Sequence, residues 1–441
     1  MTMTQPQQVP TSPPPEPGWR ILPIGLTISV FLHLILSFVP YFFKIDMDSF
    51  RGWSSLLAQG GIPAFYGSGW CDYPPGYLYV LWLTGKVYQL FDANLAYTSG
   101  ALFQALIKLT PSLADIGCAG FIFFLLKPLV PLTVARWTAL AYVFNPFPIL
   151  ISTTWGQIDS VAALLMLGTI WLLLQGKFVR AALIGVIGVL VKPQGLFLAP
   201  VFFLSQWFYQ PWWKWGASVI ASLGLIWGLV TPFYWEERDF SSPLAILLNP
   251  YRFLYVRMLN TANGYDYASV NAFNLWGWAN WQKDSLMVLG LSYKVWGLLL
   301  LLGLVIGVGV FFYRQRQPAA LFLGTTIVLI GMFMLPTRMH ERYVLYAIPF
   351  LALTAACYPR LRFVYWGWTL TGCTNTVYVL LMYNHVQFLD TVPATLKQGV
   401  ITGTILVNLV LFLSLIGYAI WLQFSHPDGL PADPPTPDAL V

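Results

Sequence analysis

Apolar runs recur along nearly the whole chain, broken by short polar or aromatic links. Runs at 21–43, 104–126, 135–151, 159–176, 180–191, 195–210, 215–233, 291–313, 319–335, 343–358, 363–382 and 399–422 meet or approach the roughly 20 residues that a membrane-spanning helix requires. The pattern therefore predicts an all-α polytopic membrane protein of about twelve transmembrane helices, with no room for a sizeable soluble domain. The first run exceeds the apolar core of a signal peptide and ends in aromatics and Lys44, so it is expected to remain as a span. Residues 1–18 and 424–441 are proline-rich without apolar periodicity and are predicted as disordered tails. They flank one membrane domain, 19–423, whose long polar interruptions are 44–103 and 234–290. A thirteenth apolar segment, 76–91, is short and contains Lys86; counted as a span it would invert everything after it.

Charge decides how that segment is read. If 76–91 does not cross, one side receives Arg20, Lys127, Arg136, Lys177, Arg180, Lys214, Arg314, Arg316, Arg360 and Arg362 against Glu16, Asp428, Asp433 and Asp438. That side then carries the whole net charge of +6, while the remaining basic and acidic residues balance. The positive-inside rule assigns the basic side to the cytoplasm, with both tails there and the polar motifs outside. With 57% of residues hydrophobic and only 9% charged, against about a quarter charged in soluble domains, no other solvent than lipid fits the chain. The positive charge reports topology and gives no reason to expect nucleic acid. Of the four cysteines only Cys71 falls clearly in a loop, so neither a disulfide framework nor a metal site is indicated.

Under this threading the external segments are 44–53, 71–79, 153–160, 191–195, the stretch 234–290 and 336–343. They carry the chemistry. Ionisable residues at membrane depth cost about 2.5–3.5 kcal/mol each on insertion scales, so their presence at span ends makes a functional site the default reading. Several have plain alternatives: Tyr73-Pro74-Pro75-Gly76 is a turn in any protein, Lys192 before Pro193 suits a snorkelling helix end, and Gln157 with Asp159 suits a helix N-terminus. Arg338, His340, Glu341 and Arg342 crowd four ionisable side chains into five positions, which interfacial anchoring explains poorly. Together the loops supply cations (Lys192, Arg338, Arg342, with His340) and carboxylates (Asp46, Asp48, Asp72, Asp159, Glu341) to one external cavity, a mixture that suits an anionic ligand and an acid–base step. The 20 tryptophans and 23 tyrosines fit interfacial belts first and sugar-stacking surfaces second. No GxxxxGK[ST], GxGxxG, HExxH or CxxC pattern occurs, which argues against nucleotide hydrolysis, dinucleotide binding and zinc chemistry.

WGQIDS (155–160), KPQG (192–195) and RMHERY (338–343), in this order, resemble the polytopic GT-C glycosyltransferases, especially prokaryotic members. The resemblance covers nearly all of the membrane-embedded chain. It implies a GT-C fold with amphipathic helices in the first external loop, and inverting transfer of a hexose, mannose or glucose, from a polyprenyl-phosphate donor to an acceptor hydroxyl outside the cytoplasm. The acceptor would be a lipid or a glycan, and the setting a bacterial plasma membrane. An aspartate of the first external loop would act as base. The match falls on Asp46, followed by Phe50 and Trp53, with Asp48 as the runner-up; Met47 separates the two where other branches have paired acids. Lys192, Arg338, His340 and Arg342 would hold the donor phosphate. Asp72, Tyr73, Gln157, Asp159, Gln194, Glu341, Asn271 and Asn274 would support the donor or acceptor. No cofactor is implied, although clustered carboxylates do not exclude a metal. A lipid-linked sugar transporter or flippase is the competing reading, since charged spans serve that as well; the absence of an evident internal repeat speaks against it.

Overall fold

A computed structural model describes residues 20–40, 43–237, 242–383 and 391–425. The tail 1–18 and all but the start of the tail 424–441 lie outside these residues; Phe424 and Ser425 close the last helix. The chain is almost entirely helical. In order it forms α1 (Ile21–Ser37), α2 (Lys44–Gly60), α3 (Phe65–Ser68), α4 (Pro75–Tyr88), α5 (Ala101–Leu126), α6 (Leu132–Val143), α7 (Pro146–Ile149), α8 (Asp159–Leu174), α9 (Phe178–Val191), α10 (Ala199–Tyr209), α11 (Trp215–Val230), α12 (Pro243–Asn263), α13 (Tyr293–Arg314), α14 (Pro318–Met334), α15 (Ile348–Cys357), α16 (Arg362–Tyr383) and α17 (Ala394–Ser425). Among the described residues the one sheet is a hairpin of β1 (Met287–Val288) and β2 (Leu291–Ser292).

Each predicted span overlaps a helix; the run 21–43 is helical to Ser37, and its residues 41 and 42 lie outside the described ones. Among the described residues five helical stretches are long and apolar enough to cross a membrane: Ala101–Leu126, Leu132–Trp155, Trp212–Tyr234, Tyr293–Arg314 and Ala394–Ser425. Ile21–Ser37, Asp159–Leu174, Phe178–Val191, Pro318–Met334 and Tyr343–Cys357 are shorter apolar helices. This is a multi-pass membrane protein. Its burial pattern is that of a chain dissolved in lipid. On α1 the inward stripe is Gly25, Ser29, His33 and Ser37, four residues apart, while Ile24, Phe31 and Ile35 face outward at 55%, 59% and 65% exposure. Small and polar residues turn inward because lipid gives apolar side chains no reason to leave the surface, whereas close packing and hydrogen bonds still reward an inward face. At the centre, α14 and α15 are buried on nearly all sides, and the Thr326 and Thr354 hydroxyls meet 2.9 Å apart between them.

The contested segment 76–91 becomes α4, which lies along the amphipathic α2. The Ser54 hydroxyl donates to Leu81 O (2.7 Å) and Lys86 Nζ to Ala58 O (2.7 Å). The Tyr73 hydroxyl also donates to Gln157 Oε1 at 3.2 Å, so residues 73 and 157 lie at the same end of the bundle. An even number of crossings must separate them. α5 and the 132–155 stretch, both long and apolar enough to cross, would supply two without α4.

The backbone is irregular where the polar motifs sit. The predicted span 135–151 is bent: α6 gives way to α7 and then to a π-helical turn, Leu150–Trp155. The runs at 195–210 and 343–358 begin with 3₁₀ turns, Pro193–Leu198 and Tyr343–Ala347. Non-helical backbone at membrane depth survives only where it is buried in protein or lines a cavity. The two 3₁₀ turns contribute residues to one cavity, and the π-helical turn ends two residues before Gln157, which also lines it. The stretch 234–290 carries the 21-residue α12, with Pro250 inside it, and a short 3₁₀ turn, Gly277–Ala279.

Candidate active site

Four local devices deliver the polar side chains. The π-helical turn closes with the Gly156 and Gln157 N–H groups both donating to Ile151 O, at 3.1 and 3.0 Å. Gly156 then takes φ +87°, a left-handed conformation open to glycine, and a Cβ there would lie 2.6 Å from Met47 Cε. Lys192 follows the last turn of α9, where Gly76 of the YPPG turn packs directly on the Leu190 and Val191 backbone; a Cβ at Gly76 would lie 2.5 Å from Leu190 C. The 336–343 loop is pinned by main-chain bridging of His340 to Val270 and Asn271. Asp46 stands in the first turn of α2.

These devices converge on a cavity of about 340 Å³. Each of the six segments assigned to one side contributes to it: Asp46 and Phe50; Asp72 and Tyr73; Gln157; Lys192 and Gln194; Thr261 and Tyr265; and Arg338, His340, Arg342 and Tyr343. At its floor the Asp46 carboxylate accepts two hydrogen bonds on Oδ2, from Trp155 Nε1 (2.7 Å) and Gln157 Nε2 (2.5 Å). Among the described residues Oδ1 makes no hydrogen bond. Lys192 Nζ donates to Gln157 Oε1 (3.1 Å) and pairs with Asp159 Oδ1 (2.7 Å), which the Tyr346 hydroxyl also reaches. One amide, Gln157, thus links the carboxylate to the buried ammonium.

The basic residues differ in how free they are. Arg342 donates to Glu341 Oε1 at 2.6 Å, has Nε 3.6 Å from Asp159 Oδ2, and lies over the Trp155 ring at 5.2 Å. Burial opposes its charge, yet Glu341 and Asp46 hold its pKa well above the ordinary value. Burial pushes Glu341 up in spite of the guanidinium beside it. Arg338 sits at φ +68° and is committed elsewhere: Nε pairs with Asp284 (2.6 Å) and Nη1 donates to Ala262 O (2.5 Å) in the last turn of α12. It ties α12 to the 336–343 loop, as a cation at a helix C-terminus does well. His340 is no cation here. Burial, then Arg342 and Lys192, hold its pKa well below the usual imidazole range, and its ring packs between Tyr265 and Tyr343 at 5.0 and 5.1 Å.

Asp72 lines the same cavity, and its carbonyl accepts the Thr261 hydroxyl at 2.8 Å. Burial, with Asp46 adding to it, pushes its pKa up to about 6 against the pull of Lys192 and Arg342. Below that pH the folded protein holds a proton on Asp72; an anion entering the cavity would raise the pKa further, so anion binding is coupled to proton uptake. Affinity for an anion such as inorganic phosphate is therefore expected to be weakened by Asp72 as pH rises through about 6. The ratio of Asp72→Asn affinity to wild-type affinity, measured from pH 5 to 8, should grow by roughly tenfold, the size of a one-unit coupling. Taking the ratio cancels the titration of the phosphate itself, and a flat ratio would remove Asp72 from the anion's surroundings.

Several expected residues stand back from the cavity. Asp159 and Glu341 lie behind its wall as counter-ions of Lys192 and Arg342. Asp48 does not line it; its half-exposed side chain lies 3.6 Å from Arg51 one turn along α2. Asn271, at φ +62°, joins the supporting loop, with Nδ2 donating to the Tyr383 hydroxyl and Oδ1 accepting from Asn280 and Trp281. Asn274 Nδ2 donates to Phe333 O (3.1 Å), fastening that loop to the end of α14. Gln194, by contrast, lines the cavity, and its Nε2 donates to the Tyr343 hydroxyl at 2.7 Å. Sequence reasoning missed Trp155, although it opens the WGQIDS motif, and missed Tyr343, Thr261 and the Asp284 that engages Arg338.

No protein-family profile and no curated protein matches this chain. Among solved structures it is similar to the crystal structure of ArnT from Cupriavidus metallidurans bound to undecaprenyl phosphate, at 15% identity and a TM-score of 0.47, covering 94% of this chain and 80% of that one.

Proposed function

We propose that this protein is a GT-C-type glycosyltransferase that moves a hexose from a polyprenyl-phosphate donor to a lipid or glycan hydroxyl on the extracytoplasmic side of a bacterial plasma membrane. The observation that carries the reading is the pairing, across one cavity in a membrane protein, of Lys192 and Arg342 with the Asp46 carboxylate. A lipid phosphate is already a good leaving group and needs cations, not a proton donor. The acceptor hydroxyl needs the opposite, since it must lose its proton while attacking. In the step proposed, the acceptor oxygen bonds to the anomeric carbon, the carbon–oxygen bond to the phosphate breaks with inversion, the proton passes to Asp46, and the polyprenyl phosphate leaves as an anion beside Lys192 and Arg342. The cavity volume falls within the range of small-molecule sites, about 300–1,000 Å³. Its aromatic walls, Trp53, Trp70, Tyr265 and Tyr343 among them, suit a sugar ring. The motif resemblance supports the same chemistry.

The test is transfer of radiolabelled sugar from polyprenyl-phosphate-mannose and polyprenyl-phosphate-glucose into a lipid extract of the source organism by the purified protein. A labelled product with either donor is the expected result. Donor binding without product from any extract would favour the lipid-linked sugar transporter, and flipping assays would follow. Sidedness is tested separately. In a chain whose four native cysteines are replaced, Asp48→Cys, at a half-exposed position, is expected to react with an impermeant maleimide applied outside intact cells. Reaction only in inverted vesicles would reverse the orientation.

A further inference from the structure

Behind the cavity lies a second polar cluster. The Thr153 hydroxyl, in the middle of the π-helical turn, is 2.7 Å from His33 Nδ1 on α1, 3.2 Å from the Ser112 hydroxyl on α5 and 3.1 Å from the Ser152 hydroxyl. All four side chains are buried, none lines the cavity, and they lie in helices that run through the membrane domain. A buried hydroxyl left unmatched costs about 1–3 kcal/mol, so three helical segments have been brought together to satisfy one. The place gripped is informative. A π-helical turn is an uncommon, widened register found chiefly at functional sites. Two residues beyond Thr153 is Trp155, and four beyond is Gln157, and both side chains end on the same oxygen of Asp46.

We propose that Thr153, clamped by His33 and Ser112, is a positioning residue that sets the Trp155 and Gln157 N–H groups against Asp46 and thereby sets the place and orientation of that carboxylate. The inference rests on Asp46 being the base of the proposed reaction. Two donors on Oδ2 hold the carboxylate in one place and orientation. Loosening the turn lengthens both bonds and misplaces the carboxylate, and displacements near 1 Å cost up to about 10²-fold in rate.

The experiment uses full-length protein labelled with ¹⁵N at tryptophan, the Trp155 indole resonance being assigned by its loss in Trp155→Phe. In Thr153→Val, which keeps the shape and removes the hydroxyl, two changes are expected. The Trp155 indole signal shifts, and kcat falls by up to about 10²-fold with donor affinity unchanged. Thr153→Ser restores both. An unmoved indole signal in folded Thr153→Val overturns the proposal, as does a loss of kcat that Thr153→Ser fails to restore. Should Thr153→Val fail to fold, Ser112→Ala is read by the same criteria. An indole shift in a protein whose wild type transfers no sugar would overturn the glycosyltransferase reading and leave the clamp standing.

Discussion

Exchanging Asp46 for Asn is expected to lower sugar transfer by about 10²–10⁴-fold while leaving donor binding within a few-fold, the range that a positioned general base supplies. The substitution is nearly silent in shape. With its oxygen placed where Oδ2 stood, the amide still accepts from Trp155 Nε1 and Gln157 Nε2, and its NH₂ takes the place of Oδ1. The geometry survives and the capacity to take a proton does not. Asp48→Asn is the comparison. That side chain lies outside the cavity against Arg51, so transfer should be unchanged. The measurement is single-turnover transfer of labelled sugar alongside donor binding for both variants. Equal losses in the two, or a loss confined to Asp48→Asn, would move the base to the other side of Met47.

The second large effect is at Lys192, where activity and stability separate. Lys192→Met removes a buried ammonium from the place proposed for the donor phosphate, and loss of one preorganised charge partner of this kind is expected to lower kcat by about 10²–10³-fold. It also leaves the fully buried Asp159 with only the Tyr346 hydroxyl and Arg342 at 3.6 Å, and breaking a buried pair from one side costs about 3–5 kcal/mol. Lys192→Met should therefore melt well below the wild type in detergent. The double variant Lys192→Met with Asp159→Asn should regain most of the melting temperature, because no uncompensated charge remains, yet stay as inactive as the single one. Recovery of turnover in the double variant would make Lys192 a structural counter-ion and leave the phosphate to Arg342.

Individual roles were legible to different depths. The pairing of Lys192 with Asp159 joins two motifs, KPQG and WGQIDS, that the chain order shows only as neighbours of successive spans. Asp46 and Asp48 look alike in sequence because they share a loop and a charge. The helix separates them, since residues two apart on α2 point to different faces and only Asp46 meets the cavity. Arg338 and Arg342 also look alike, four positions apart in one motif. Asp284, from a loop more than fifty residues earlier, engages the first, and no local pattern could announce that partner. His340 reads as a cation from its neighbours and is held neutral by them, because burial among Lys192 and Arg342 disfavours a further positive charge.

From the sequence alone came the solvent, the helical positions and the gathering of polar motifs on one side. Hydrophobic run length, charge scarcity and loop charge are local or additive quantities, and lipid imposes them residue by residue. Tertiary structure alone decided that α4 lies along α2, that the 132–155 span ends in a π-helical turn, and which carboxylate stands at the cavity floor. Those outcomes depend on contacts between segments distant in the chain: Tyr73 on Gln157, Thr153 on His33, Trp155 on Asp46. Such hydrogen bonds form only once the helices have packed, because each needs two groups brought within about 3 Å by elements that the sequence places 84 to 120 residues apart.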